Sequence, residues 1–161
     1  MVYLHIVLAA LLSWALAGLS PLGWLLGFAA LYPLFRLLGL MLPRCRLYAM
    51  RIEGGLIFVP WFIYKVFSAS LDVALIVLNP RRKIEPAVVL VPIATREKRL
   101  ITLMGCLLTL TPGTLALDYR ARTGEMFVHV LDTQSLDSVQ GAIAEIEQRL
   151  MRWVDPMGGG L

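Results

Sequence analysis

The stretch Leu108–Asp132, LTLTPGTLALDYRARTGEMFVHVLD, decides how the second half of the chain folds. Pro112-Gly113 at its head is a turn pair: Pro presets φ at the first central position and Gly accepts positive φ at the second. Behind the turn, Leu115, Leu117 and Tyr119 alternate with Thr114, Ala116 and Asp118, the period of a strand. Arg120 to Glu125, with Gly124, reads as a hairpin turn, and Met126 to Leu131 as the returning strand.

The same reading extends in both directions. Upstream, Pro86–Ile93 (PAVVLVPI) is a short Val-rich run that predicts a buried strand, with Pro92 near its end. Thr95 is placed to cap a helix whose first turn holds Arg96, Glu97 and Lys98. Leu100, Leu103, Met104 and Leu107 then recur at helical spacing. Downstream, Val139, Ile143, Ile146, Leu150 and Trp153 form one stripe of a helix over Asp137–Val154, leaving Glu145, Gln148 and Arg152 toward water. The order is βαββα, a small α+β domain over residues 81–155 with a flexible tail at 156–161. Its core is too small to be robust alone, so it is expected to lean on the rest of the chain or on a partner.

Ahead of this domain the composition changes. Of the 161 residues 58% are hydrophobic and 16% charged, and mean hydropathy is +0.74; a soluble domain is about half apolar and about a quarter charged. The excess lies before Asn79, and from Val2 to Leu42 the only charged side chain is Arg36. Tyr3–Leu19 and Leu22–Leu42 are two apolar runs separated by Ser20-Pro21, the pattern of a transmembrane hairpin over residues 1–43. Ala15-Leu16-Ala17 has the look of a signal-peptide cleavage site, but no Lys or Arg precedes the apolar run and a second run follows at once, which favours an uncleaved span. Gly18, Gly23 and Gly27, with Ala9 and Ala10, are small residues suited to close helix packing.

Residues 44–80 read as a basic loop followed by a third membrane-associated helix. Its apolar run, Leu56–Leu78, carries Lys65, Ser68 and Asp72, then Asn79 and Pro80. The spacing from Lys65 to Asn79 puts these polar groups on one helix face. Two placements fit: a third span with a polar stripe toward a partner, or an amphipathic helix at the membrane surface. Charge favours the second. With two spans, Arg44, Arg46 and Arg51 fall on the same cytoplasmic side as Arg81, Arg82 and Lys83, as the positive-inside tendency requires. A lone Lys and a lone Asp do not make a proton relay, so a packing role for the stripe is the simpler expectation.

Net charge is +4 and pI about 9.4, but the cations flank apolar segments and no recognition motif accompanies them, so nucleic acid is not an expected partner. Cys45 and Cys106 have no CxxC partner, and His5 and His129 stand far apart, so neither a metal nor another cofactor is indicated. His5, at the start of the first span, is placed to face headgroups. His129 sits mid-strand, where Asp118 or Asp132 can approach across the hairpin; a partner-facing strand histidine is the simpler reading. There is no Walker loop, GxGxxG, GxSxG or HExxH. The residues make no case for an enzyme.

Two segments carry a resemblance. LTLTPGTLALDY (Leu108–Tyr119) with MFVHVLD (Met126–Asp132), and SLDVALIVLNPRRKIEPAVVLVP (Ser70–Pro92), are similar to the E subunits of Mrp/Mnh-type cation/proton antiporters. Thr111, Pro112, Gly113 and Thr114 match that family's turn, and Asn79 and Pro80 its linker. The resemblance implies a non-catalytic structural or coupling subunit of a multi-pass complex in a bacterial inner or plasma membrane. Its C-terminal domain would be cytoplasmic, its partners the other antiporter subunits and the lipid bilayer, and its transported ions Na+ (or K+) and H+. It carries over no catalytic residue. The residues alone fit equally a membrane-anchored adaptor or assembly factor with a small interaction domain.

Overall fold

In the computed structural model of the protein, residues 1–18, 20–79, 81, 83–132 and 136–158 are described. Pro80 and Arg82, and the last three positions of the expected tail, lie outside them. The chain forms two compact units. One comprises Met1–Leu56 with the segment from Trp153, the other Ile57–Arg152.

In the first unit, α1 (Val2–Ala17) and α2 (Pro21–Leu38) are joined by a short turn. Ser20 caps α2, its Oγ accepting the Gly23 N–H at 3.0 Å, and Pro21 takes the first helical position, where its missing N–H costs nothing. Gly18, with φ +73, ends α1 in a conformation that side chains disfavour. The third helix, α3, runs over Pro43–Leu78. This corrects the expected basic loop: residues 44–55 are helical. Pro43 opens α3 rather than only ending the run before it, because a helix tolerates Pro in its first turn. Cys45, Tyr48 and Ala49 are buried and Ile52 packs beside them, which is a helical period.

The second unit contains the rest of α3, then β1 (Ala87–Pro92), α4 (Lys98–Leu110), β2 (Thr114–Arg120), β3 (Glu125–Val130) and α5 (Leu136–Val154), which ends in the first unit. The sheet order is β1-β3-β2, with β3 antiparallel to both neighbours. β1 and β2 therefore run parallel, and α4 makes the crossover between them. Val128 faces Val89 on one side and Ala116 on the other, and a bulge falls between Ala116 and Asp118.

α4 begins two residues later than Thr95 would place it. The Thr95 hydroxyl accepts the Glu97 N–H at 3.3 Å, while the Thr95 N–H donates to Glu147 Oε1 at 2.9 Å. Thr95 thus shapes the approach to α4 and ties it to α5, and Glu97 takes the N-cap position. The core joins Val91, Met126, Val128 and Val130 of the sheet to Met104 and Leu108 of α4 and to Ile143, Ile146 and Leu150 of α5, all buried. Each such side chain contributes about 1.5–3 kcal/mol at most. The other face of the sheet carries no covering element among the described residues.

Candidate functional site

The Thr111–Thr114 turn is built by its own hydroxyls. Thr114 Oγ1 donates toward Leu108 O (2.7 Å) and Thr111 O (3.1 Å), and Thr111 Oγ1 toward Leu107 O (3.0 Å), so the last carbonyls of α4 find partners. Gly113 has φ +88, and its carbonyl accepts the Leu131 N–H at 2.9 Å. A Cβ there would lie 3.3 Å from Val73 Cγ2, so the turn rests directly against α3.

This turn and α3 line an open-sided cavity of about 350 Å³, lined also by Ile143 and Ile146 of α5 and Leu131 beyond β3. Its walls are mainly apolar. Asp72 and Asp132 contribute its carboxylates, Asp72 exposed and Asp132 buried. Of the polar stripe, Lys65 has a defined partner: its Nζ lies 2.8 Å from Glu145 Oε2. Arg149 binds the other oxygen of that carboxylate at 3.0 Å, and both cations lie over the Trp61 ring, at 5.6 Å for Lys65 and 4.4 Å for Arg149. The Lys65 hydrogen bond, helped by Arg149 and opposed by partial burial, holds the Glu145 carboxyl below its ordinary value. Glu145 therefore does not simply face water. Ser68 is half-buried on the same side of α3. Asn79 is exposed, and its Oδ1 accepts the Arg81 N–H at 3.1 Å, closing the helix end locally.

In the hairpin unit the glycines pack within the chain. A Cβ at Gly27 would meet Ala9 O at 2.9 Å, and one at Gly23 would meet Ser13 Oγ at 2.7 Å, while Gly18 has open space around it. Three features here go beyond the sequence reading. His5 is fully buried and does not face headgroups. Its Nε2 lies 2.9 Å from Phe28 O, so that nitrogen carries the proton, and Nδ1 accepts from the Tyr48 hydroxyl at 2.8 Å. Both ring nitrogens are used, and the ring stacks on Phe28 at 3.8 Å. The repeat His5, Ala9, Ser13, all buried, is the signal that marks this face of α1.

The second feature is Glu53, which accepts from the Tyr32 hydroxyl at 2.5 Å and pairs with Arg36 at 2.8 Å. The third is Arg51, which is more than a flanking cation. Its Nε donates to Val154 O at 3.0 Å, and its carbonyl accepts from Trp153 Nε1 at 2.8 Å, with the indole seated on Gly54 and Gly55. In the second unit, the sheet register sets His129 between Val88 and Leu115, and Asp118 opposite Phe127. Among the described residues, no three or more His, Cys, Asp or Glu side chains converge.

The arrangement is one of internal fastening, in which histidine, serine, lysine and arginine hold helices to helices. A family model described as Na+/H+ ion antiporter subunit, MNHE, matches residues 3–155, both units together. The chain belongs to the MNHE family.

This MNHE chain is 29% identical over 118 residues to the E subunit of the Na(+)/H(+) antiporter of Alkalihalophilus pseudofirmus OF4, covering 73% of the chain and 72% of that protein. It is 30% identical over 128 residues to the E1 subunit of the Na(+)/H(+) antiporter of Staphylococcus haemolyticus, covering 79% and 77% respectively. A chain in the structure of the Mrp complex from Dietzia sp. DQ12-45-1b matches with TM-score 0.46 and 28% identity, over 59% of the MNHE chain and 90% of its own length. Membership of an antiporter-subunit family puts the chain at a membrane. Its α2 and α3 are long and apolar enough to cross one.

Proposed function

We propose that the protein is a non-catalytic structural subunit of a multisubunit Na+/H+ antiporter complex, or a K+/H+ one, anchored by the α1–α2 hairpin and carrying its small α+β domain on the cytoplasmic side. The observation that carries this reading is the family match, which runs through the membrane helices and the sheet domain alike. The polar geometry supports the non-catalytic part. His5 spends both nitrogens within the hairpin unit, and Lys65 is held by Glu145.

The second half of α3 is assigned to the membrane surface and not to a third span. Its inward side meets Glu145 and Arg149 of α5, and a spanning α3 would draw those charges into hydrocarbon. Its opposite side exposes Ile63, Phe67, Leu71 and Leu78, an apolar stripe suited to the headgroup boundary. The positive-inside tendency then sets Arg44, Arg46, Arg51, Arg81 and Lys83 in the cytoplasm and the Ser20-Pro21 turn outside.

The test is purification of the tagged chain from its own membrane in mild detergent, with mass spectrometry of what accompanies it. Several polytopic antiporter subunits in near-equal amounts are expected, together with loss of Na+/H+ exchange in vesicles from a strain lacking the chain. Recovery alone, or with one soluble protein, rejects the antiporter reading in favour of an adaptor.

A further inference from the structure

The cavity between α3, the Thr111–Thr114 turn and α5 takes no part in the internal fastening of the chain. Among its walls Leu108, Ile143 and Ile146 are buried, whereas Val73 and Ile76 of α3 are half-buried. Protein interiors are packed nearly to crystal density, and voids much larger than a water molecule are few. A space of about 350 Å³ beside so small a core leaves apolar wall atoms without neighbours. Its size and its make-up, mostly apolar with a few polar groups, are those of a small-molecule site.

The charges on its walls are of one sign. Asp72 and Asp132 line it, and among the described residues no Lys, Arg or His does so, in a chain of net charge +4. Lys65 of α3 and Arg149 of α5 are not available to neutralise it, because both are held by Glu145. Asp72 itself makes no hydrogen bond or ion pair among the described residues. An exposed carboxylate at an apolar opening, with a second one buried in the walls, favours a ligand that brings a hydrocarbon body and one positive charge. A bare divalent cation is a poorer match, since it takes about six or more oxygen ligands and most of these walls are hydrocarbon.

We infer that the cavity binds a small amphipathic amine, its hydrocarbon body against Leu108, Ile143 and Ile146 and its amino group on the Asp72 carboxylate. An aliphatic amine keeps its proton at neutral pH. An aminophospholipid carries the same group but sets a phosphate beside it, and no cation among the described lining residues meets that phosphate. The ligand is therefore a free amine. Bound there, it touches α3, the turn and α5 together and braces the small domain at its one loosely packed place. The inference goes beyond the antiporter reading and does not depend on it.

The purified full chain in a nonionic detergent is titrated with hexylamine, and separately with hexanol and hexanoate, which keep the hydrocarbon and change the charge. Binding is read from the rise in thermal midpoint, because a ligand that binds only the folded state stabilises it. Saturable stabilisation by hexylamine is expected, with affinity about fivefold or more weaker for hexanol and no effect of hexanoate. Asp72→Asn, at an exposed position, should leave the ligand-free midpoint near that of wild type and weaken hexylamine about threefold. Ala142→Phe should fill the cavity and abolish the response; Ala69→Leu fills it from α3 if the first variant does not unfold cooperatively. Equal affinity for hexylamine and hexanol, an unchanged response in Asp72→Asn, or a response that survives in a folded filled variant overturns the proposal. Complete displacement of hexylamine by phosphatidylethanolamine added to the micelles also overturns it, in favour of a lipid headgroup. Exclusion of hexylamine from the chain co-purified with its partners overturns it in favour of a neighbouring protein's side chain.

Discussion

The Nδ1 atom of His5 and the hydroxyl of Tyr48 are 2.8 Å apart, across a sequence separation of 43 residues. Because His5 Nε2 is also bound to Phe28 O, one imidazole joins α1 to both other helices of its unit. In apolar surroundings each of these groups is costly to leave unpaired. His5→Phe keeps an aromatic ring but orphans the Tyr48 hydroxyl, and is expected to destabilise the purified chain by about 1–3 kcal/mol. Tyr48→Phe should have a similar effect, and the double variant should cost less than the two singles summed. Thermal unfolding in one detergent measures all three, and strict additivity would show that the pair does not interact.

The close approach of Gly27 to Ala9 O makes a second prediction. A methyl at Gly27 meets a backbone oxygen at 2.9 Å, which cannot swing aside. Gly27→Ala should lower stability by about 1–3 kcal/mol through overpacking. At Gly141, within α5, a Cβ has open space. Gly141→Ala should stabilise by about 0.5–1 kcal/mol. Opposite signs in the shift of the unfolding midpoint are the expected result.

Glu145 brings in pH. Its folded carboxyl titrates below the ordinary value of 4.5, the hydrogen bond from Lys65 being the largest cause. A depressed carboxylate contributes stability that is fully present above its unfolded value and is lost as pH falls through the folded one. The thermal midpoint, followed from neutral to about pH 3, should therefore drop more steeply for the wild-type chain than for Glu145→Gln. Lys65→Met should flatten the acid limb in the same direction. Parallel profiles for all three chains would contradict the assignment.

Gly113 stands at φ +88 with Val73 Cγ2 beside it. Gly113→Ala places a side chain in the left-handed region and against α3, at an expected cost of about 1–3 kcal/mol. Hydrogen exchange should localise the loosening to the Leu131 amide, which the Gly113 carbonyl holds. Uniform loss of protection across the domain would argue against a local effect.

Much of the architecture is written in short-range periods. The alternation after Pro112-Gly113, the return from Met126 and the Ile143, Ile146, Leu150 stripe are each visible within about a dozen residues. The start of α3 is ambiguous in sequence because Pro43 signals both an end and a beginning, and only the Cys45, Tyr48, Ile52 spacing decides between them. The polar stripe on α3 is visible as a stripe. What is not legible is the partner: Glu145 lies on another helix, and no local pattern announces which distant carboxylate a lysine will meet. The same holds for His5, whose burial depends on three helices converging. The uncovered sheet face is half-visible, since β1 is apolar throughout and only the register shows which strand positions stay in the open.

The seat of Trp153 on Gly54 and Gly55 has a consequence for biogenesis. The indole donates to a carbonyl made 102 residues earlier, so the hairpin unit is complete only once synthesis has passed Trp153. A chain interrupted before that point presents a bare glycine notch and an Arg51 guanidinium without its Val154 acceptor. Products that stop before Trp153 thus differ from longer ones at a defined place beside the first helices.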